Sequence, residues 1–533
     1  MTDRVSGIDF IRAFLKNFKS PFYVLCAILV GVAGAFIVLI GVDVSPALPV
    51  AVMVAIPAII VACWKPRIAM LGFLFLILFV EETPGGIDGV ERSERTFFYS
   101  VTVGLPAVYI PDLLLTGILA LYFLKFVFHR ERFPFQVDKA GVGLILLFAT
   151  TLMSIVVSLS SYQTFGPPIL PGNYGFFEGA ELPEEIARLV AILQMKLFVI
   201  VFPSYLLGLF FFREKRDLDQ GLLVFSAAMV GTIALAIGRL ISNPDMVASL
   251  VTVIVDTVSI WLMGCALFYV ISRWALRHYS SWGTTVRVIC AIFWVLLILL
   301  SFRRTLWGAI AIAFLFWPLI LPRKAWGRLL FLISVGVIVA GIFFAVTPVG
   351  QVVFGSVMER ASETTLSQGS TQYRFAMLVW FIESLADTPA FGHALTPLWD
   401  ETVQLRRLEV TMEGIHSLYL WILQRLGLVG ISITLIAGVL ITLRFREVYQ
   451  IVRSEKAKVL TGVIFLSYII FILNGILNPV YGQVRQMILF GIALALVTRL
   501  PAIFQKETDE EKAAGQGLGS VGKFSRDTLM RCA

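Results

Sequence analysis

The chain has 533 residues, 58% hydrophobic and only 15% charged, with a formal net charge of +8 and a mean hydropathy of +0.88. Soluble domains average about 25% charged residues, so this chain has too little polar surface to cover its apolar mass in water. The same figures exclude disorder for most of its length, and positive charges scattered between apolar blocks do not make a nucleic-acid interface.

A helix needs about 20 apolar residues to cross a bilayer core. Fourteen stretches are candidates: 22–41, 46–63, 67–80, 105–128, 140–159, 190–212, 220–238, 248–272, 284–302, 305–321, 329–347, 417–443, 459–477 and 484–499. Backbone in lipid must satisfy its own hydrogen bonds, and the short alternating segments of a β-barrel are absent, so the spans are helices. The expected fold is an all-α integral membrane protein of about 14 transmembrane helices with one large periplasmic loop that carries short helices.

Ahead of the first span, Ile8, Ile11, Phe14, Leu15 and Phe18 share a helical face opposite Arg12, Lys16 and Lys19, which reads as a basic interfacial helix. The first apolar run is longer than the 7–15 residues of a cleaved signal and reads as an anchor. The chain therefore divides into an amphipathic cytoplasmic N-terminus (1–20), spans one to eleven (21–347), a large outer loop (348–416), spans twelve to fourteen (417–500) and a polar, disordered cytoplasmic tail (501–533). Helix-like stretches fall at 371–386 and 398–412 within the large loop.

With the N-terminus in the cytoplasm, 30 of the 43 Lys and Arg fall on the cytoplasmic side and 11 outside, while 19 of the 35 acids fall outside. This is the positive-inside pattern, and it places both termini in the cytoplasm of a multi-pass protein. Cys26, Cys63, Cys265 and Cys290 sit in apolar segments and Cys532 in the tail, so neither a disulfide framework nor a zinc spacing is present.

The informative charges are those that fit this pattern badly. Ionisable residues inside spans mark functional positions by default: Asp112, Lys196 beside Gln194, Asp256 and Arg425. Asp112 follows Pro111 and reads equally as a helix cap, and Asp256 and Arg425 read equally as structural partners. Arg303 and Arg304 occupy a tight outer turn, against the orientation rule. They read either as interfacial snorkelling or as a fixed anion site, a task for which the planar, permanently charged guanidinium is suited. Arg374 lies on an amphipathic stretch of the large loop, whereas Arg406 and Arg407 adjoin acids and read as a solvated face. His416 stands where that loop re-enters the membrane, three residues after Glu413. Its ordinary pKa near 6.5 suits a proton acceptor. His393 has no third ligand at metal spacing.

Three motifs carry a resemblance. Ser301-Phe302-Arg303-Arg304-Thr305 lies between two spans. Arg374, Trp380 and Pro389-Ala390-Phe391-Gly392 follow in the large loop. His416-Ser417-Leu418-Tyr419-Leu420, Arg425 and Gly427-Leu428-Val429-Gly430 complete the set. In this order the run at about 295–500 resembles the C-terminal region of O-antigen ligases and O-antigen polymerases. Ser417 stands where that family reads Asn, and Arg425 where an acid is common.

The resemblance implies a metal-independent glycosyltransferase without a cofactor in the bacterial inner membrane. Its donor would be an undecaprenyl-diphosphate-linked glycan. Its acceptor would be a lipid-core sugar for a ligase or another lipid-linked glycan for a polymerase, with a chain-length regulator as an implied partner. His416, Arg304 and Arg374 take the catalytic positions, and Arg303, Lys196, Glu413 and Gln194 the substrate-binding ones. A lipid-linked-glycan flippase or other transporter is the alternative, although such folds often show internal repeats and none is visible here. A non-catalytic assembly subunit is the third reading.

Overall fold

A computed structural model of the protein describes residues 65–81, 109–129, 138–165, 195–242, 256–276, 281–301, 304–347, 390–392, 417–477 and 484–505, with short pieces at 350–355. Among the described residues the architecture is all-helical. The first two predicted spans, the two helix-like stretches of the large loop and the tail beyond 505 lie outside the described residues.

The helices are α1 (Pro66–Phe79), α2 (Ile110–His129), α3 (Lys139–Phe165), a single turn α4 (Lys196–Val199), α5 (Val201–Phe211), α6 (Lys215–Ser242), α7 (Thr257–Ala275), α8 (Ser281–Leu300), α9 (Arg304–Ile320), α10 (Arg323–Val346), α11 (Leu418–Ile451) and α12 (Glu455–Leu477), followed by α13 (Val484–Gln505). Seven of them are long and apolar enough to cross a membrane, and five shorter apolar helices accompany these among the described residues. α1 has 14 residues and is about 21 Å long at 1.5 Å per residue, short of a full crossing.

Two predicted spans differ in detail. Within the stretch 190–212 the described residues form the single turn α4, which passes through Ile200 into α5. The stretch 417–443 belongs to a 34-residue helix that breaks at Gly427. Asp256, placed within a span by hydropathy, is the N-cap of α7, accepting a hydrogen bond from the Ser259 amide at 2.7 Å.

α7 packs against α6, α8, α10 and α12, while α12 also packs on α9 and α11, and α11 lies along α3. Without a hydrophobic force between helices in lipid, close backbone approach and interhelical polar contacts supply the association. Gly143 of α3 faces Ala437 of α11, and Gly208 of α5 faces Ala495 of α13. Trp261 donates its indole N–H to the Ser467 carbonyl at 3.0 Å, and Trp317 donates to Ser272 Oγ at 2.8 Å. Gly491 of α13 lies so close to α5 that a Cβ there would overlap the carbonyl oxygen of Val201. Forcing the backbones apart costs about 1–3 kcal/mol, so Gly491→Ala is expected to lower the melting temperature of the purified protein in detergent.

The ion pairs form two groups. Arg67 bonds Glu214 and Asp217 at 3.1 Å each, Lys456 pairs with Asp219 at 2.7 Å, Arg444 with Asp138 at 2.9 Å, and Lys139 with Glu447. All of these residues lie at helix ends that the charge pattern assigns to the cytoplasm. Lys196 pairs with Asp112, Arg239 with Glu81 at 2.6 Å, and Arg485 with Asp256 at 2.8 Å, all at ends that it assigns to the outside. Each of these pairs therefore joins helix ends of one predicted side.

Candidate functional site

Arg304 is the first residue of α9, so the arginine pair occupies the short connection after α8. Ser301 Oγ and Trp307 Nε1 both donate to the Ile298 carbonyl, at 2.6 Å each, and close this elbow. α9 then runs antiparallel to α12. A Cβ on Gly462 would overlap Ile320, whereas Ile310 and Ile470 meet beside Gly264. This register carries the Arg304 end of α9 to the level of Gly475 on α12.

The first turn of α11 reaches the same level. Leu418 covers Gly475 at 3.0 Å from a built Cβ, and Tyr419 donates its hydroxyl to the Ile472 carbonyl at 3.2 Å. Ser417, the N-cap of α11, is buried and makes no side-chain cap bond. From Leu418 to Leu426 the helix is mostly buried, and lipid-exposed positions such as Leu428 begin after the break. This first arm is thus a plug within the bundle and not part of a lipid-facing span.

The break has a clear cause. Gly427 adopts φ 69°, ψ −165°, a region essentially confined to glycine. In an unbroken helix the Val429 amide would bond the Arg425 carbonyl. Here it donates instead to the Ala390 carbonyl at 2.9 Å. The Ala390–Gly392 end of the Pro-x-x-Gly motif is therefore seated in the gap, with Gly392 at φ 65°. Ser154 of α3 lies 2.6 Å from the Phe391 carbonyl and 2.7 Å from the Arg425 carbonyl. Two motifs separated by about 35 residues in sequence thus meet at hydrogen-bond distance. Gly427→Ala places a Cβ on a backbone that costs roughly 1–3 kcal/mol for other residues. It is expected to shorten the retention of folded protein during heating and to expose the large loop to protease.

Lys196 is drawn to the same region by its neighbour Phe198, which stacks on Trp421 at 4.3 Å between centroids. The Lys196 ammonium pairs with Asp112 and lies over the Tyr109 ring, 4.1 Å from its centroid. Asp112 also accepts from the Tyr109 amide at 2.9 Å, which realises the helix-cap reading. Arg303, Arg374, Glu413, His416 and Gln194 lie outside the described residues, as does the side chain of Arg304. The structure therefore brings together the start of α9 at Arg304, the helix that starts two residues after His416, residues 390–392 of the Pro-x-x-Gly motif and Lys196.

Asp256 is held by Arg485, whose Nη1 contacts both carboxylate oxygens at 2.8 and 2.9 Å and Ser259 Oγ at 3.0 Å. Arg485 Nε donates to the Ile77 carbonyl at 2.6 Å and Nη2 to that of Leu78. The Asp256 amide approaches Glu81 Oε1 at 3.3 Å, and Arg239 pairs with the other Glu81 oxygen. Burial and the neighbouring Asp256 push the Glu81 carboxyl up to about 7, against the pull of Arg239 and Arg485. Hydropathy alone assigns Arg239 and Glu81 to loops and gives Arg485 no partner, so this network is invisible to it. The clue is that Arg485 stands just inside the last apolar run.

Residues 289–435 match the family model described as O-antigen ligase. That match supports an O-antigen ligase and polymerase family assignment. The matched O-antigen ligase stretch runs from α8 to the middle of α11 and contains Arg303, Arg304, Arg374, the Pro389–Gly392 turn, Glu413, His416 and Gly427. No curated protein matches the chain. The family suggests a glycosyltransferase-type activity in a multi-pass membrane protein. Among the described residues no group of three His, Cys, Asp or Glu is placed to hold a metal ion.

Proposed function

We propose that the protein transfers a glycan from undecaprenyl diphosphate to a glycan or lipid-linked acceptor at the periplasmic face of the inner membrane. The observation that carries this reading is the convergence, within the matched segment, of the arginine-headed α9 and the His416-led α11 at one end of α12. A lipid diphosphate needs its head at the membrane surface and its tail in lipid, and Arg304 begins α9 at an end that the charge pattern assigns to the outside.

In the proposed reaction the acceptor hydroxyl oxygen attacks the anomeric carbon and the bond from that carbon to the diphosphate oxygen breaks. The electron pair leaves on the diphosphate, and the hydroxyl proton passes to His416. Arg304 and Arg374 stabilise the growing negative charge in place of a divalent metal, an effect that is larger in the transition state than in the ground state. Arg303, Lys196 and Gln194 hold the donor head, with Lys196 oriented by Asp112. Glu413 orients or balances His416.

The test is reconstitution in liposomes with a defined undecaprenyl-diphosphate glycan, in the presence of a chelator, offering either a single lipid-linked repeat or a core lipid as acceptor. Glycan joined to the repeat assigns a polymerase, and glycan joined to the core assigns a ligase. Absence of product with both acceptors refutes the reading.

A further inference from the structure

We infer that Ser154 is a positioning residue that latches the large loop onto the broken helix leading from His416. Ser154 lies on α3, outside the segment that matches the family. It is fully buried, and its oxygen sits between two carbonyls, one on each side of the joint. One is Arg425's, at 2.7 Å, beside the Gly427 break where the Val429 amide bonds Ala390. The other is Phe391's, in the turn seated in the gap.

A serine hydroxyl carries one hydrogen, so the two carbonyls share a single donor. Buried carbonyls without a partner are costly. Removing the hydroxyl therefore takes away the one donor that bridges the joint between loop and helix. The neighbouring Val429–Ala390 bond holds the same joint. Arg374 lies upstream of the turn in the large loop, and His416 lies just upstream of the arm that the break terminates. The latch thus ties the chain segments that bear the two groups. Its effect on turnover rests on the glycosyl-transfer reading, while the latch itself does not.

The experiment uses full-length protein in phospholipid nanodiscs, with two readouts. Hydrogen exchange at the Val429 amide reports the latch without substrate. In Ser154→Ala that exchange is expected to rise roughly three- to tenfold, the scale of one net hydrogen bond. Ser154→Thr, which keeps the hydroxyl, is expected to remain near the wild type. In glycan transfer, Ser154→Ala lowers kcat with little change in KM for the donor, because orientation is lost and donor binding is not; Ser154→Thr restores kcat. Unchanged Val429 exchange in Ser154→Ala overturns the latch, and raised exchange with an unchanged kcat overturns the positioning role. Should Ser154→Ala fail to fold, Gly392→Ala disturbs the same joint from the loop side and must raise Val429 exchange for the latch to stand. A wild type that transfers no glycan refutes the proposed reaction, and the exchange data still decide the latch.

Discussion

Arg304→Ala, Arg374→Ala and His416→Ala are each expected to reduce glycan transfer by roughly 10²–10⁴-fold while leaving the amount of membrane-inserted protein unchanged. The argument for the arginines is electrostatic. Departure of a lipid diphosphate concentrates charge on its bridging oxygen, and a preorganised guanidinium in a water-poor site stabilises that charge without reorganisation. Lysine keeps the charge but loses the planar fork, so Arg374→Lys is also expected to be impaired. Loss of His416 removes the proton acceptor and is expected to appear in kcat. In-vitro transfer with purified variants checks all four, and full activity in the three alanine variants contradicts the site.

Arg485→Ala is expected to remove most of the folded protein. The side chains of Arg485 and Asp256 are both 0% exposed, and the guanidinium also satisfies the Ile77 and Leu78 carbonyls at the C-terminal end of α1. Breaking a buried pair by deleting one partner costs about 3–5 kcal/mol, because the other charge stays buried without compensation. Asp256→Asn removes that residual charge, so the double variant with Arg485→Met is expected to be more stable than Arg485→Ala alone. Thermal unfolding followed by size-exclusion chromatography measures the order of stabilities. Equal melting temperatures for the wild type and Arg485→Ala contradict the account.

Hydropathy reads helices well because lipid leaves the backbone few alternatives, and a described helix occupies each of the last twelve predicted stretches. It reads their interruptions poorly. The break in α11 depends on the φ and ψ of Gly427, and a glycine in an apolar run has no hydropathy signature. The partner of Asp256 was equally hidden, since Arg485 is remote in sequence and stands at the very edge of the last apolar run. Of the proposed site, Arg304 and His416 stand out in the sequence because they oppose the surrounding apolar pattern. Ser154 was not, since one serine among ATTLMSIVV resembles any small residue in a packed helix. The Pro389–Gly392 and Gly427–Gly430 motifs were legible as motifs, but their contact needed three dimensions.

The most direct test of the central claim is to measure undecaprenyl diphosphate released per glycan transferred, using purified protein in liposomes without an ion gradient. The account predicts one lipid diphosphate released for each glycan joined to acceptor, and neither product with His416→Ala. Movement of the glycan across the bilayer while still attached to its lipid, with no diphosphate released, would contradict it.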